Sequence, residues 1–440
     1  MTSSQHEATA EYARALDEAD ELGSFRGHFW IPQQNGEPVA YFCGNSLGLL
    51  PRTAEAAVRE ELRVWAEYAV DGHFAPPCPW FSYHRLLTPY LAELAGALPE
   101  EVVAMNSLTV NLHLLFATFY RPVGRRRKIL LEYYPFPSDL YVAQTQLRWR
   151  GLEPSQCVVF AEPTSGEFLV QTEDICSRIV EIGEELALVF LSGVHYYTGQ
   201  RFQLEAITRA AHAVGAYVIV DLAHAIGNVE LKLHDWDVDA AAWCSYKYLN
   251  SGPGGVGGLF VHKRHGGKAE LVRLGGWWGT PEEVRFRLLS EFQPAYGAEG
   301  WQLSNAPILA MAVHRAALEL FHKAGFPALC RKRDRLHDYA RWWIERVRTI
   351  VPQAPLRIVT PEDVSQRGCQ LSLWVGANGK ELYRYLRAAG IVVDWREPNV
   401  IRLAPVPLYN SFHDVYRFGC ALLNAAQALW GGGHRGVERG

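Results

Sequence analysis

The stretch "AYVIVDLAHAIGNVELKLHDWDVDAAAWCSYKYLNSGPGG" spans residues 216–255 and decides the fold. It begins with an apolar run that ends in Asp221, and a second apolar run, residues 240–246, leads to Lys247. Nearly continuous apolar runs of this length are typical of strands in a parallel sheet that is covered on both faces. A surface lysine needs no such setting, so the stretch raises the question of what the amine of Lys247 is bonded to.

The alternation of strand and helix extends on both sides of this stretch, from about residue 85 to residue 260. Strands are predicted at residues 101–106, 128–132, 186–192, 216–224 and 240–246. Helices are predicted between them at residues 108–119, 138–150, 172–183 and 203–214. Strands that alternate with helices in this way predict an α/β fold with a mainly parallel sheet covered by helices.

The pattern changes after residue 305 and predicts a smaller C-terminal α+β domain. A long helical stretch, residues 306–350, precedes strand-like segments such as "CQLSLWV" and "VIRLAPV" and further helices at 379–389 and 411–429. A chain of 440 residues fits two domains. We expect an N-terminal segment that packs with the small domain, a large domain and a small domain, with boundaries at 1–84, 85–310 and 311–440.

Composition and charge exclude several classes of protein. The hydrophobic fraction of 49% and the charged fraction of 20% are those of a soluble globular protein. The net charge of −4 and the pI near 6.5 argue against a nucleic-acid partner. No apolar run approaches the roughly 20 residues that span a membrane. The eight cysteines form no CxxC pair, and the polar, acidic N-terminus is not a signal peptide, so we expect reduced thiols, a cytoplasmic location and no metal site.

The ends of the predicted strands carry a pattern of polar residues that suits one cofactor. Parallel sheets bind ligands beyond the carboxyl ends of their strands. Asp221 ends one strand, and Lys247, 26 positions later, ends the next. Pyridoxal 5'-phosphate needs a carboxylate that keeps its pyridine nitrogen protonated and a lysine amine for the Schiff base. Its phosphate would bind at the helix N-terminus near Thr109, and Phe136 is an aromatic side chain able to stack on the ring.

Simpler interpretations exist for each of these residues. A single aspartate at a strand end is often a helix cap, and a single lysine after a strand is usually solvated. Their occurrence in order, on successive strand ends, favours the cofactor. His195, His224 and Asp221 form an alternative set of metal ligands. A lysine in the same crevice has no role in a metal hydrolase of that type, which weighs against the metal.

With these residues in place, the chain resembles the kynureninases, pyridoxal-phosphate enzymes of fold type I in the aspartate aminotransferase superfamily. The similarity runs from "YFCGNSLGLLP" (41–51) to "RLAPVPLYNSFHDVYRF" (402–418), which is nearly the whole chain. Its motifs are "NSLTVNLHLL", "FPSDLY", "SGVHYYTGQ", "WCSYKYLN", "GGWWG" and "QLSNAP". The resemblance implies hydrolytic cleavage of L-kynurenine or 3-hydroxykynurenine to anthranilate or 3-hydroxyanthranilate and L-alanine, in tryptophan degradation and NAD biosynthesis.

The resemblance also assigns roles to residues of this chain. Lys247 is the Schiff-base lysine, Asp221 pairs with the pyridine nitrogen, and Tyr246 is a proton donor or carbonyl polariser. The implied cofactor-binding residues are these three with Leu108, Thr109, Phe136, Pro137, Ser138, Asp139, Ser192 and His224 from the same chain, and Trp277 and Asn305 from the neighbouring subunit of a homodimer with shared active sites. The implied substrate-binding residues are Ser46, His73, Ser304, Asn305 and Arg402, of which Arg402 binds the α-carboxylate.

Three other functions are compatible with parts of this pattern. An aminotransferase of the same superfamily needs the same core. A cysteine desulfurase needs a mobile catalytic cysteine, and no cysteine here lies in an obvious flexible Gly/Ser loop beyond the sheet. A regulator that uses the fold as a ligand sensor usually carries a basic helix-turn-helix segment, for which the 40 N-terminal residues are too few and too acidic.

Overall fold

A seven-stranded sheet lies at the centre of the computed structural model, which describes residues 6–164, 167–268 and 270–431. The last nine residues of the predicted small domain, 432–440, lie outside the described residues. The strands within the described residues are β1 (Gln33–Gln34), β2 (Glu37–Pro38), β3 (Ala40–Tyr41), β4 (Val102–Ala104), β5 (Lys128–Glu132), β6 (Val158–Ala161), β7 (Leu186–Ser192), β8 (Tyr217–Asp221), β9 (Ala240–Trp243), β10 (Gly258–Val261), β11 (Leu356–Ile358), β12 (Leu371–Val375), β13 (Ile391–Val392), β14 (Asp394–Arg396) and β15 (Val400–Leu403).

The helices alternate with these strands through the first three hundred residues. The α-helices within the same described ranges are α1 (Ala10–Glu18), α2 (Thr53–Tyr68), α3 (Thr88–Ala95), α4 (Leu108–Phe119), α5 (Pro137–Trp149), α6 (Pro154–Cys157), α7 (Thr172–Ile182), α8 (Leu204–Ala213), α9 (Lys263–Gly266), α10 (Ile308–Ala324), α11 (Phe326–Ile350), α12 (Gly379–Ala388) and α13 (Phe412–Trp430). None of them has the length and apolar character that crossing a bilayer requires.

The large sheet is mainly parallel, as the sequence predicts. Its strand order is β4-β10-β9-β8-β7-β5-β6. The strands from β5 to β9 pair in parallel, whereas β10 runs antiparallel to both β9 and β4. Consequently β4 points in the same direction as β9, and the carboxyl ends of six strands lie at one edge of the sheet. This arrangement confirms the predicted α/β class.

Both faces of the sheet are buried because successive strand residues point to opposite sides. Leu130 and Val218 belong to the core on one face, with apolar side chains of α7 and α8. Leu131 and Ile219 belong to the core on the other face, with apolar side chains of α4 and α5. Each fully buried leucine or isoleucine of this kind stabilises the fold by about 1.5–3 kcal/mol relative to an exposed one. The near-continuous apolar runs of the sequence follow from this double burial.

A separate C-terminal domain has an antiparallel four-stranded sheet. Its strand order is β11-β12-β15-β14, and helices α11, α12 and α13 contribute apolar side chains to its core. Gly419 of α13 lies directly on Trp343 of α11, since a Cβ atom there would stand only 1.9 Å from the indole. A glycine is needed at this crossing because any side chain would force the two helices apart.

The N-terminal segment contacts more than one part of the molecule. Ala13 of α1 and Phe42 belong to the core of the C-terminal domain, and β3 pairs in parallel with β13. Helix α2 packs instead against α10. The first half of the segment thus packs with the small domain, and the exact domain boundaries stay a prediction.

Several local features differ from the sequence prediction. The strand predicted at 240–246 ends at Trp243, so Lys247 lies in the loop that follows it. The expected helical stretch over 306–350 is two helices, because Gly325 adopts a φ of 76° between α10 and α11. Strands β6 and β10 were not predicted, since each is only four residues long and neither shows a clear alternation of apolar and polar residues. The predicted strands at 128–132 and 186–192 and the helix at 108–119 have the observed bounds.

Candidate active site

A cavity of about 340 Å³ lies at the carboxyl edge of the large sheet. Polar residues reach it from the ends of β4, β5, β7, β8 and β9, where the sequence predicts a ligand site. The structure brings together twelve of the predicted site residues around this cavity: Ser46, Leu108, Thr109, Phe136, Ser138, Asp139, Ser192, Asp221, His224, Tyr246, Lys247 and Arg402. Pro137 does not line the cavity and occupies the first position of α5 behind Phe136.

The loop that carries Lys247 is fixed by the N-terminal motif "YFCGNSLGLLP". The Gly48 amide donates a hydrogen bond to the Tyr246 carbonyl at 2.8 Å. A Cβ atom on Gly48 would lie 2.3 Å from the Lys247 carbonyl oxygen. Only glycine permits this close approach, which explains why a motif two hundred residues away belongs to the same site.

The amine of Lys247 donates a hydrogen bond to His224, with 2.9 Å between Nζ and Nε2. Burial, reinforced by the charge of Lys247, holds the pKa of His224 well below its usual range. The ring is therefore neutral and carries its proton on Nδ1, which is buried and has no hydrogen-bond partner among the described residues. Lys247 thus lies beside a neutral hydrogen-bond acceptor that carries no positive charge of its own.

Three carboxyl groups lie in the same buried corner of the cavity. Asp221 ends β8 and its Oδ1 accepts the Ala223 amide at 2.6 Å. Glu132 ends β5, and both of its oxygens accept the Ser192 amide at 3.2 Å. Burial raises the pKa of Asp221, raises that of Glu132 to about 7 and, with Asp221 and Glu132 nearby, raises that of Asp139 well above its usual range. A cationic group in the cavity would relieve this concentration of negative charge.

Two helix N-termini meet at one end of the cavity. Thr109 lies in the first turn of α4 and Ser138 in the first turn of α5, and their hydroxyl oxygens are 3.0 Å apart. The free amide groups and the positive ends of the two helix dipoles favour an anion at this point. The loop with Gly254 and Gly255 borders the same cavity.

An aromatic side chain and a phenol complete the cavity around the lysine. Phe136 is the residue before α5, and its ring centroid lies 5.9 Å from Lys247 Nζ. Tyr246 precedes Lys247, and burial raises the pKa of its phenol, so the group stays protonated at neutral pH. Phe136 is positioned to cover one face of a flat ring, and Tyr246 is a proton-bearing group beside the amine.

Arg402 lies at the opposite end of the cavity on β15 and is 1% exposed. Its Nε donates to Asp394 Oδ1 at 2.8 Å, its Nη2 pairs with the other oxygen of Asp394, and its Nη1 donates to the Tyr196 carbonyl at 2.7 Å. The guanidinium is thereby held in one orientation, with two of its five N–H groups still available.

Besides Pro137, four predicted site residues lie outside the cavity of their own chain. Ser304 and Asn305 border a neighbouring cavity of about 360 Å³ that shares Ser107 and Gly254 with the first. The remaining two are His73, which packs edge-on against Trp80, and Trp277, which is 47% exposed. Trp278, which follows Trp277 in the motif "GGWWG", is buried.

Several residues of the cavity were not predicted from the sequence. They are Asn45, Ser107, Glu132, Val194, Tyr196, Ala223, Cys244, Gly254, Gly255 and Arg396. Glu132 had the same signal as Asp221, a carboxylate at the end of a buried strand. Arg396 stands two positions after Asp394 in "VDWRE", and a two-residue period on a strand places both on one face. The others gave no comparable signal.

The alternative metal site is not formed by its proposed ligands. His195 Nε2 lies 3.1 Å from the Tyr133 carbonyl, and its Nδ1 accepts the Thr198 amide at 3.3 Å. Both ring nitrogens are therefore engaged within the chain. Among the described residues, the grouping with metal-like spacing is Glu101, His234 and His262, which shares no residue with the proposed set.

That second grouping is better explained by hydrogen bonds. His234 Nδ1 lies 2.9 Å from Glu101 Oε1, and the Lys263 amide donates to the same oxygen at 2.8 Å. His262 Nδ1 accepts the Arg264 amide at 3.2 Å, so its in-plane lone pair is occupied. A metal ion would have to displace these contacts.

The residues of the main cavity fit pyridoxal phosphate. Asp139 Oδ1, Ser192 Oγ and His224 Nδ1 are buried there without a hydrogen-bond partner in the described part of the chain. Such atoms need a ligand, and they line the same cavity as the two helix N-termini and the partly buried Lys247. Fold and site together define the class of protein, a pyridoxal-phosphate enzyme of fold type I.

Comparisons with known proteins agree with this class. Residues 332–422 match the family model described as the kynureninase C-terminal domain. The chain is 50% identical to the kynureninase of Christiangramia forsetii over 94% of this chain and 97% of that one. It is 51% identical to the kynureninase of Xanthomonas campestris pv. campestris strain B100 over 92% of this chain and 95% of that one. The chain belongs to the kynureninase family.

Solved structures support the fold independently. A cysteine desulfurase from Thermococcus onnurineus superimposes with a TM-score of 0.71 at 20% identity, covering 89% of this chain and 95% of that one. At this identity the likeness concerns the fold alone. The sequence-based expectations of a fold-type-I enzyme, of pyridoxal phosphate and of the family are confirmed.

Proposed function

We propose that the protein hydrolyses the Cβ–Cγ bond of L-kynurenine or 3-hydroxy-L-kynurenine, which yields anthranilate or 3-hydroxyanthranilate and L-alanine. The observation that carries this proposal is about 50% identity to proteins named kynureninase over more than 90% of both chains. The cavity supports it because it offers a lysine, a paired carboxylate and an arginine in one space.

The chemistry of the proposed reaction depends on residues at both ends of this cavity. Bound pyridoxal phosphate supplies an electron sink for bonds to the substrate α-carbon. Lys247 Nζ would anchor the cofactor and, once released, carry the α-proton. Asp221, with Asp139 beside it in the same cavity, would hold a proton on the pyridine nitrogen. Phe136 would cover one face of the cofactor ring and limit its tilt.

The remaining residues would act on the substrate side of the cavity. Arg402 would bind the α-carboxylate with its two available N–H groups. The Tyr246 phenol, which keeps its proton at neutral pH, would donate it to the β-carbon as the Cβ–Cγ bond breaks, or would polarise the carbonyl to which water adds. Ser46 lines the same cavity and would contact the substrate.

Shared active sites in a homodimer belong to this proposal. Phe74, Phe286 and Trp277 are 62%, 58% and 47% exposed. Phe81 joins them into one aromatic surface, with ring centroids 5.6 Å from Phe74 and from Phe286. A contiguous exposed surface of this kind is typical of an interface between subunits. Trp277 and Asn305 of one subunit would then reach the cofactor of the other.

The protein would act in the cytoplasm in tryptophan degradation and NAD biosynthesis, with small molecules rather than a nucleic acid or a membrane as its partners. The acidic net charge of −4 supports the absence of a nucleic-acid partner. The alternative function is an aminotransferase of the same superfamily, since that reaction needs the same lysine and aspartate.

One assay separates the two functions. Purified protein is incubated with L-kynurenine, and anthranilate is followed by fluorescence with and without an added oxo acid. We expect anthranilate and L-alanine in equal amounts without the oxo acid. Product formation that depends on the oxo acid, with no anthranilate, would show an aminotransferase instead. Loss of the visible absorbance band on borohydride treatment provides a check that the cofactor is present.

A further inference from the structure

The α-carboxylate end of the cavity contains a second arginine. Arg396 lies on β14 and Arg402 on β15, and both line the cavity. The strands pair antiparallel, with Asp394 opposite Arg402. Because side chains alternate along a strand, Asp394 and Arg396 share the face of the sheet to which Arg402 also points.

Asp394 lies between the two guanidinium groups. It forms a two-point contact with Arg402, and its Oδ2 lies 3.3 Å from Arg396 Nη2. The side chains are exposed to very different degrees, 1% for Arg402, 19% for Asp394 and 38% for Arg396. Arg402 is therefore buried and its charge is paired with Asp394, whereas Arg396 is on the open side of the pair.

The charges of the three groups decide which arginine is free to neutralise a ligand. Arg402 and Asp394 together carry no net charge, because their charges cancel across a two-point contact. A substrate α-carboxylate placed against that pair alone would bring an uncompensated negative charge into the cavity, which is costly. Arg396 adds the one positive charge that makes the group of three complementary to a single carboxylate.

The hydrogen bonds of Arg396 leave room for such a ligand. Its Nε is buried and has no hydrogen-bond partner within the described residues. Its contact to Asp394 involves Nη2. Arg396 therefore retains donors in the cavity, and a buried unpaired donor is a group for which a partner is expected.

We propose that Arg396 is a second substrate-binding residue, which binds the α-carboxylate together with Arg402, and that Asp394 positions both arginines. The inference rests on the proposed function, since it concerns the amino-acid end of that substrate. In this arrangement Arg402 sets the direction of the carboxylate and Arg396 supplies the charge that compensates it. The preference for a substrate with a free α-carboxylate then depends on both residues.

The test compares two non-reactive ligands by calorimetry on the holoenzyme. One is the α-deamino analogue of kynurenine, which keeps the carboxylate, and the other is its carboxamide. The parent should bind the acid more tightly than the amide. In Arg396→Gln the ratio of the two affinities should fall about 10- to 100-fold, the size expected for a charge-assisted hydrogen bond, with amide binding unchanged.

Two further variants make the result decisive. Arg396→Met keeps the aliphatic part of the side chain and should give the same fall in the ratio of the two affinities. It serves as the test variant if the glutamine variant does not fold. Arg384→Gln on the exposed surface of α12 is the matched control and should keep the parental ratio. An unchanged ratio in a folded Arg396 variant would overturn the inference.

The parent protein separates this inference from the function on which it rests. A parent that releases anthranilate but binds acid and amide equally would overturn the inference and leave the proposed function standing. A parent that does not cleave kynurenine at all would overturn both.

Discussion

Lys247 Nζ lies 2.9 Å from His224 Nε2, and this contact defines the state of both groups. The pKa of His224 is held well below its usual range by burial and then by the lysine charge. The imidazole is therefore a neutral acceptor, and its tautomer is fixed with the proton on Nδ1. No carboxylate of the described residues contacts the lysine amine directly, which leaves the amine available for reaction with a carbonyl carbon.

Lys247→Ala should abolish anthranilate release and leave the fold intact. The side chain is the one amine proposed to anchor the cofactor, and without it the α-proton has no carrier. Borohydride treatment followed by mass spectrometry should show a cofactor-sized increase in the parent and none in the variant. Lys263→Ala, at an exposed position of α9, is the control and should behave as the parent. Anthranilate release at the parental rate by Lys247→Ala would contradict the assignment.

Asp221→Asn should weaken cofactor binding and slow exchange of the substrate α-proton by about 10²- to 10³-fold, the usual effect of removing one preorganised electrostatic partner. The amide oxygen can still accept the Ala223 amide, so the local backbone should be preserved. The affinity for pyridoxal phosphate is measured by fluorescence titration and the exchange by NMR in heavy water. Full cofactor content with near-parental exchange would remove Asp221 from its proposed role.

The sequence predicted the large sheet well because its strands are buried on both faces. Leu130 and Leu131 lie in opposite cores, so the run "KILLE" has no polar interruption and its limits are sharp. The break at Gly325 was missed because a single glycine within an apolar helical pattern is compatible with a continuous helix. Its left-handed conformation depends on how α10 and α11 pack, which no local pattern reveals.

The site was predicted where residues follow strand ends and missed where tertiary contacts decide. Asp221 and Lys247 stand directly after apolar runs. Arg396 lines the cavity because β14 pairs with β15, and the Asn45 side chain there donates a hydrogen bond to Gln370, 325 positions further along the chain. A contact between segments as far apart in the chain as Asn45 and Gln370 is not encoded in the local sequence.

Acid should destabilise the protein partly through His195. Burial lowers its pKa to about 4 from the ordinary value of 6.5. Between these two values the unfolded chain binds more protons than the folded one, so stability is complete above pH 6.5 and falls as the pH decreases toward 4. From pH 7 to pH 5 this one group should cost about 2 kcal/mol. Urea denaturation at both pH values measures the loss, and His195→Gln should reduce it by that amount; an equal loss in both proteins would exclude His195.

Mixing two inactive variants should restore activity if active sites are shared. In a hybrid of Lys247→Ala and Trp277→Ala subunits, one of the two sites combines an intact lysine with an intact tryptophan. With random exchange about a quarter of the parental activity should return. Lys247→Ala mixed with Asp221→Ala is the matched control, because every hybrid site then keeps one defect and no activity should return. A lack of recovery while tagged subunits co-purify would mean that each site is built from one chain.

The last prediction concerns the aryl ring of the substrate. His73, Ser304 and Asn305 are the residues proposed to border it, and all three lie outside the cavity of their own chain. His73 Nδ1 is buried and has no partner among the described residues, while Ser304 and Asn305 are exposed. These polar groups, one unpaired and two exposed, suit a hydrogen bond to a ring hydroxyl that lies at a subunit interface.

We therefore expect kcat/KM to favour 3-hydroxykynurenine over kynurenine by about tenfold or more. A site that hydrogen-bonds a hydroxyl discriminates against the analogue that lacks it, because its polar groups are then left unpaired. Steady-state kinetics with both substrates on the parent and on His73→Trp with Asn305→Thr decide the matter, and the double variant should lose the preference while still cleaving kynurenine. If the parent already prefers unsubstituted kynurenine, His73 only packs against Trp80 at this turn, and the hydrolytic function stands without a polar aryl pocket.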